Sequence, residues 1–335
     1  MAQSQDPERI RVLAVTNLWP VGESYRGIFV KEQVEALRRV GVDVDVEVVA
    51  QERGKADYLL AAARVRRRAR SGAYHLIHVH YGMAAWSARF VRRIPRVLSI
   101  YGSDVNVPWQ RAVTRIGSMG TAARIYVSPN LAANSGDPAG HVIADGVDFT
   151  LFAPGDRAQA RAALGIAADE VAVLFGGHPD NAVKGYDVFT DVLAALRERG
   201  LPVREIVLAE TGQPRSAVPA KFVAADVLLF TSRKGSEGSP SVIKEASVMG
   251  LPVVSVAVGD VAEVLAGVTP SAVVDFPEPW GSGEARAELV TALADRTAEV
   301  LGGGERSNGR ERNARLDSER VAEQVVAVYR QVLRQ

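Results

Sequence analysis

The chain contains no cysteine, which removes disulfides, thiolate nucleophiles and thiolate metal ligands and leaves the redox compartment open. It also has almost no excess charge: over 335 residues the formal net charge at pH 7 is +1. That balance gives no reason to expect a nucleic acid or a strongly acidic substrate. No apolar stretch comes near the roughly 20 residues needed to cross a bilayer. The opening segment, Met1 to Glu8, is polar and lacks the apolar heart of a secretory signal, so a cytoplasmic protein is expected. Repeats of solenoid length and long low-complexity tracts are missing as well. G-x-G-x-x-G does not follow the first strand, and G-x-x-x-x-G-K-S/T occurs nowhere. Dinucleotide binding and phosphate-loop ATPase activity both lose support.

What is present is an alternation of strand and helix patterns. Ile10 to Thr16 is an apolar run of strand length, and Phe29 to Val40 repeats Val30, Val34 and Leu37 at helical spacing. Strand-like Val42 to Val49 precedes a basic helix from about Ala56 to Arg70. Strand Leu76 to His80, helix Met83 to Arg92, and strands Arg96 to Tyr101 and Arg124 to Ser128 follow. From Asp145 to Pro154 the pattern lapses into Gly, Asp and Pro, the mark of a linker. It restarts with strand Glu170 to Phe175, helix Tyr186 to Arg199 and strand Val203 to Leu208. Strands Ala225 to Thr231, Pro252 to Ala257 and Ala272 to Phe276 come next. Two helices close the chain, Glu284 to Leu301 and Ser318 to Leu333, with a loose Gly302 to Asn313 between them. Such βαβα order calls for doubly wound parallel sheets, and the length suits about two domains. The expected division is 1–150 and 151–317, with the helix 318–335 a candidate to pack back on the first domain.

The most informative stretch is Glu237-Gly-Ser-Pro-Ser-Val-Ile-Lys-Glu245. Ser239 suits an N-cap and Pro240 the first helical position, where its missing N–H costs nothing. Val242, Ala246 and Met249 form an apolar stripe, and Gly250 stops the helix before Leu251-Pro252. A strand on either side makes this a strand–loop–helix–strand unit, so its loop lies at the carboxyl end of a strand, where open α/β sheets bind ligands. Free amides at a helix start attract anions, while the flanking carboxylates of Glu237 and Glu245 attract hydroxyls. A ligand carrying both phosphate and polyol groups fits.

Other signals read more plainly. Asp43 and Asp45 resemble a metal-binding Asp-x-Asp but alternate within a strand, on its polar face. His75, His78 and His80 lack further ligands at zinc spacing, so hydrogen-bonding roles are expected and no metal is. The basic run Arg64 to Arg70 reads first as a solvated helix face; weak peripheral contact with anionic lipid is the sharper alternative.

Glu237 and Glu245 followed by Gly250-Leu-Pro-Val-Val resemble the E-x7-E segment of the family 4 retaining glycosyltransferases of the GT-B fold. Four other segments agree in order. Asn17 to Gly27 is similar to that family's first loop, and Tyr101-Gly-Ser-Asp104 to its His-Gly-Ser/Thr-Asp turn. Ile143-Ala-Asp-Gly-Val-Asp148 resembles its linker, and Phe175 to Gly185 its Gly-Arg…Lys-Gly phosphate segment. The resemblance covers nearly the whole chain.

It implies two Rossmann-like domains facing across a cleft and transfer of a hexosyl group, with retention, from a UDP- or GDP-sugar co-substrate. The acceptor is a hydroxyl of a small molecule or a lipid-linked sugar, as in carbohydrate or natural-product biosynthesis, and no cofactor or metal is implied. Lys184, Glu237 and Asp104 are the implied catalytic residues. Donor contacts are implied for Arg26, Gly27, Gly177, His178, Lys184, Gly238, Ser239, Ser241, Val242 and Glu245, the last on the ribose. Acceptor contacts are implied for Tyr25, His80, Tyr101, Asp104 and Trp109. Glu245→Ala is expected to weaken donor binding without moving the melting temperature. Three departures stand out. Gly177 and His178 occupy the place of the family's Arg, Tyr101 that of its His, and Pro240 that of a Gly. His178 and Arg26 are the candidates to replace the missing cation. Two alternatives stay open: a related two-domain sugar-nucleotide epimerase and, on account of the missing Arg and His, a non-catalytic sugar-nucleotide-binding protein.

Overall fold

A computed structural model describes residues 9–22, 25–49, 54, 56–210 and 212–335; the polar start, Met1 to Glu8, lies outside them. The chain divides into two compact units, Met1–Gly146 with Leu316–Gln335, and Val147–Arg315. The crossing is tight: a Cβ on Gly146 would lie 2.7 Å from the Cα of Ser318, so only glycine lets the outgoing and returning chain pass.

The first unit is built on strands β1 (Arg11–Thr16), β2 (Asp43–Val48), β3 (Leu76–His80), β4 (Arg96–Ile100), β5 (Ala123–Tyr126) and β6 (His141–Val142). They form one sheet in the order β2-β1-β3-β4-β5-β6, parallel throughout. Period-two alternation sends Val12 and Ala14 to one face and Leu13 and Val15 to the other. Both faces are covered, which is why the central strands read as unbroken apolar runs. On the first face Val34 and Leu37 of helix Ile28–Arg39 pack with Val325 and Tyr329 of helix Ser318–Leu333. On the second, Ala61 and Val65 of helix Ala56–Arg70 meet Ala84, Ala85 and Ala88. Those alanines belong to a shorter helical stretch than expected. Gly82–Ala84 is a 3₁₀ turn and Ala85–Ala88 one α-turn, because the chain must reach Pro95 and re-enter the sheet at Arg96.

The second unit carries β7 (Val171–Phe175), β8 (Val203–Val207), β9 (Val227–Phe230), β10 (Val253–Val256) and β11 (Ala272–Val274). Their order is β11-β10-β9-β7-β8, again parallel. The order reverses between β7 and β9, so the loops leaving these two neighbours diverge and open a crevice at their carboxyl ends. The segment Gly302 to Asn313, read as loose, is instead pinned to this unit. Arg306 donates to the carbonyl of Ala225 at 2.9 Å, Arg310 to that of Phe152 at 2.7 Å, and Asn313 to Ser247 Oγ at 2.8 Å. No helix among the described residues is long and apolar enough to cross a membrane.

Candidate functional site

The reversal point of the second unit is where Lys184 and Glu237 meet. Lys184 comes from the loop after β7 and Glu237 from the loop after β9, and Nζ donates to Oε1 at 2.7 Å. Ser232 donates to the same oxygen at 2.8 Å, and the ammonium also sits 5.5 Å above the Phe230 ring. Local chemistry holds the lysine loop. Asn181 accepts from the amide of Val183, and Gly185 turns left-handed at φ 66° to start helix Tyr186–Glu198. A Cβ on Gly185 would lie 2.1 Å from the carbonyl oxygen of Thr231, whose hydroxyl donates back to Gly185 at 2.9 Å. The two loops are therefore clamped together, and Lys184 is aimed before any ligand arrives.

Gly177 explains part of the unusual phosphate segment. A Cβ there would lie 2.7 Å from Lys184 Cγ, so the lysine stem runs over the space that a larger side chain would occupy. His178 is turned toward its own loop: Nδ1 accepts from the amide of Asp180 at 3.2 Å and lies 3.7 Å from the Asp180 carboxylate.

The helix after Glu237 begins one residue later than its sequence suggests. It spans Ser241–Val248, with Pro240 as N-cap and no side-chain cap. Ser239 cannot cap it, because its hydroxyl donates to Asp260 Oδ2 at 2.6 Å. Nor is the helix one-sided: every residue from Val242 to Val248 is buried, Lys244 completely. Asp260, buried in the loop after β10, has no partner on Oδ1. Burial raises its pKa, opposed by the charge of Lys244 and the bond from Ser239. Gly238 touches the same corner, since a Cβ on Gly259 would lie 2.7 Å from its carbonyl oxygen. Neither Asp260 nor Lys244 carries a signal visible in local sequence.

Glu245 is paired separately from Glu237. It is 4% exposed, and its Oε1 accepts from Arg215 at 2.6 Å, while the Arg215 guanidinium lies 4.8 Å over Phe152. Arg215 was missed because it lies in the irregular segment between β8 and β9, 30 residues before its partner. The pairing changes the expected effect of Glu245→Ala, since a buried ion pair that loses one member leaves the other charge stranded.

The carboxyl end of the first unit's sheet is chemically different. His80, at the end of β3, is fully buried, with Nδ1 bonded to the Tyr101 hydroxyl at 2.7 Å and Nε2 without a partner. Burial holds its pKa down at about 3. His78 lies on the same strand face, 4.0 Å between ring centroids, and bonds Tyr329 at 2.6 Å and Ser99 at 2.8 Å. Burial, then the neighbouring His80, keeps His78 neutral. Tyr101 is raised well above the ordinary phenol range, first by burial and then by Asp145, and packs 4.8 Å from Phe29. Both histidines thus serve hydrogen bonding.

Asp104, implied as catalytic, is 0% exposed and has its carboxylate occupied by backbone amides: Gly102 at 2.8 Å, Tyr101 at 3.2 Å and Gly82 at 3.3 Å. Burial raises its pKa and those amides pull it back. This is a clasp for the turn, and a group so enclosed has no free face for a ligand. Gly27 (φ 78°) heads helix Ile28–Arg39 where a Cβ would strike the Leu18 carbonyl carbon at 2.3 Å. Tyr25 beside it is half-buried, Arg26 exposed, and Trp109 58% exposed. Tyr81 went unnoticed in the sequence. It is the one non-glycine residue with positive φ (78°) among the described residues, and its hydroxyl bonds Ser103 at 2.6 Å and donates to Gln110. A tyrosine held left-handed directly after β3 is the kind of strain that concentrates at working sites.

Asp43 and Asp45 are held by Arg9 at 3.5 Å, and by Arg68 at 3.8 Å with Tyr74 at 2.6 Å, respectively. No group of three His, Asp or Glu among the described residues could hold a metal ion.

Comparison with known proteins bears on this arrangement. Residues 170–295 match the family model described as Glycosyl transferases group 1. That span contains β7 to β11 together with Lys184, Arg215, Glu237, Glu245 and Asp260. The chain is 30% identical over 213 residues to a D-inositol 3-phosphate glycosyltransferase of Saccharomonospora viridis, covering 54% of this chain and 49% of the relative. It is 27% identical over 319 residues to the enzyme of that name from Segniliparus rotundus, covering 78% and 67%. Among solved structures, a sucrose-phosphate synthase from Thermosynechococcus elongatus superposes with TM-score 0.74 at 21% identity, over 97% of this chain and 99% of the other. Anabaena HepE in complex with UDP-glucose superposes with TM-score 0.67 at 20% identity, over 96% and 100%.

The matches place residues 170–295 with the Glycosyl transferases group 1 family, and the superpositions give the chain the two-sheet fold of those neighbours. The chain spans about half the length of the first curated relatives it matches. The matched segment is the second unit's sheet and its loops. The family's E-x7-E acids therefore stand in this chain on two ion pairs, Glu237 with Lys184 and Glu245 with Arg215.

Proposed function

We propose that the protein is a retaining hexosyltransferase that moves a sugar from a nucleoside-diphosphate sugar to a hydroxyl of a small-molecule or lipid-linked acceptor, without a cofactor or a metal. The observation that carries this reading is the Lys184–Glu237 pair at the reversal point of the second unit. A cation and an acid share one proton-rich contact there, both partly open, and a ligand with phosphate and hydroxyl groups satisfies each better than they satisfy one another. The Lys184 ammonium turns to the diphosphate, beside the amides of Ser241 and Val242 at the helix start. Glu237, released, accepts from hydroxyls of the transferred sugar. Glu245, held by Arg215, accepts from the ribose, each charge-assisted bond contributing roughly 1.5–3 kcal/mol.

In the transfer the anomeric carbon–phosphate oxygen bond breaks and the acceptor oxygen bonds the anomeric carbon on the same face. The acceptor proton goes to the departing phosphate oxygen, so no side chain acts as nucleophile. Lys184 meets the charge that builds on the leaving group, and a preorganised cation of this kind typically contributes about 10²–10³ in rate. Tyr25, Arg26, Tyr101 and Trp109 are the first unit's candidates for acceptor contact, on a loop framework that Asp104 and His80 keep in place. The relatives include D-inositol 3-phosphate glycosyltransferases, and a structural neighbour is seen in complex with UDP-glucose; UDP-glucose is the first donor to try and D-inositol 3-phosphate the first acceptor. The test is nucleoside-diphosphate release across a panel of nucleotide sugars. Release that needs an acceptor supports transfer, an isomerised donor would mean epimerisation, and binding without turnover would leave a non-catalytic binder.

A further inference from the structure

Charge is spread very unevenly along this nearly neutral chain. From Tyr58 to Gly136 there are twelve arginines, no lysine and a single acid, the buried Asp104. Five of the seven exposed arginines gather at one edge of the first unit, Arg111 and Arg115 lying instead on helix Pro108–Gly117. Gly72 to Tyr74 lead into β3, Arg92 and Arg93 into β4, and Met119 and Gly120 into β5. Because these strands are parallel, the three lead-ins share the edge where strands begin. Five residues at about 3.3 Å each put that edge roughly 17 Å from the ligand end.

Two adjoining hollows shape the edge. One, about 580 Å³, is lined by Arg66, Arg70, Tyr74, Phe90, Arg92 and Arg93. The other, about 350 Å³, is bounded by Arg89, Phe90, Arg92, Arg96 and Met119. Phe90 is 59% exposed and Met119 58%. The helix Ala56–Arg70 is divided by role. Arg64 and Arg68 face β2 and pair with Glu47, whereas Arg66, Arg67 and Arg70 have no acidic partner among the described residues, nor have Arg92 and Arg93.

We propose that this edge is a docking surface for an anionic lipid bilayer. An ordinary solvated face mixes signs; here four unpaired guanidiniums, those of Arg66, Arg70, Arg92 and Arg93, line a hollow together with exposed Phe90. Guanidinium suits lipid phosphate bidentately, and an apolar body ringed by arginine seats at headgroup depth. A nucleic-acid backbone would occupy the arginines but leave Phe90 and Met119 without a partner. Docking by this edge keeps the opposite, ligand-binding end of the sheet uncovered.

The experiment is cosedimentation of the full chain with vesicles of phosphatidylcholine alone and with about one third phosphatidylglycerol. Binding is expected only to the anionic vesicles, and weaker at about 0.5 M salt, where the Debye length falls below about 5 Å. Replacing Arg66, Arg70, Arg92 and Arg93 together by Gln should lower vesicle affinity at least tenfold. Phe90→Ser should lower it several-fold, and that loss should persist at high salt. All five side chains line the surface, so melting temperatures should match the wild type and serve as the folding control. Equal binding to neutral vesicles, no binding to either, or an unaffected quadruple variant overturns the proposal. So does a silent Phe90→Ser with a short RNA duplex displacing the vesicles, which would make the edge a polyanion site.

Discussion

The two units present different chemistry at the ligand ends of similar sheets. In the second, a reachable charge pair, Lys184 with Glu237, stands apart from a buried one, Arg215 with Glu245. In the first, the corresponding place holds a neutral, fully buried set, His78 and His80 bonded to Tyr329, Ser99 and Tyr101, beside an Asp104 consumed by amides. The difference is one of exchangeability. An ion pair at a loop junction can trade its partner for phosphate or hydroxyl at little net cost, because both states satisfy the charge. A buried hydrogen-bonded network cannot, since breaking any member leaves a desolvated polar group. The second unit is thus built to grip, and the first to hold a surface in shape.

The sharpest way to break this contrast is Lys184→Met. Acceptor-dependent nucleoside-diphosphate release should fall about 10²–10³-fold while donor affinity moves less; unchanged turnover would place the leaving charge elsewhere. Next is Arg215→Met, which strands the 4%-exposed Glu245 and should destabilise the second unit by about 3 kcal/mol, read from its denaturant midpoint. Glu245→Gln, which removes the charge and keeps the shape, should weaken donor binding about tenfold with a smaller change in stability. If the two variants behave alike, the pair is structural only.

The first unit's signature is acid sensitivity. His80 is neutral when folded, its pKa depressed to about 3, and His78 is depressed as well. Between about pH 3 and the unfolded value near 6.5 the unfolded chain binds more protons, so stability rises with pH there and is lost on acidification. The slope is at most about 1.4 kcal/mol per pH unit for His80. Trp19, Trp86 and Trp109 lie in this unit and only Trp280 in the other, so tryptophan fluorescence reports it selectively. The midpoint should drop from pH 7 to pH 5, and His80→Gln should flatten that drop; an unaltered slope would remove His80 as its source. The smallest effect expected is from Tyr81→Phe, which deletes the bonds to Ser103 and Gln110. Acceptor KM should rise a few-fold, about 1 kcal/mol, with kcat and the donor constant unmoved.

Much of the molecule was readable without coordinates. Leu76–His80 and Ser318–Leu333 run between the expected residues, and the other expected strands start and stop within two or three residues of expectation. Apolar runs bounded by Gly and Pro leave little freedom once both sheet faces are covered. What failed did so through distant competition. Ser239 looks like a cap until Asp260, 21 residues on, takes its hydroxyl. Gly302 to Asn313 looks loose until Arg306, Arg310 and Asn313 find carbonyls and a hydroxyl across the second unit. Asp104 is the local exception: it looks catalytic until its own turn closes the amides of Tyr101 and Gly102 around it.

By itself the amino-acid order determined most of the strands, the two parallel sheets and the placing of Lys184 and Glu237 on loops at strand ends. Periodicity, glycine stops and motif spacing are local, and local energies suffice to set them. Only the tertiary structure decided which charge each acid meets, that His80 is walled off from water, and that Arg215 belongs to the site. Those outcomes depend on burial and on contacts between residues tens to hundreds of positions apart, as between His78 and Tyr329, and no window of sequence encodes a desolvation energy.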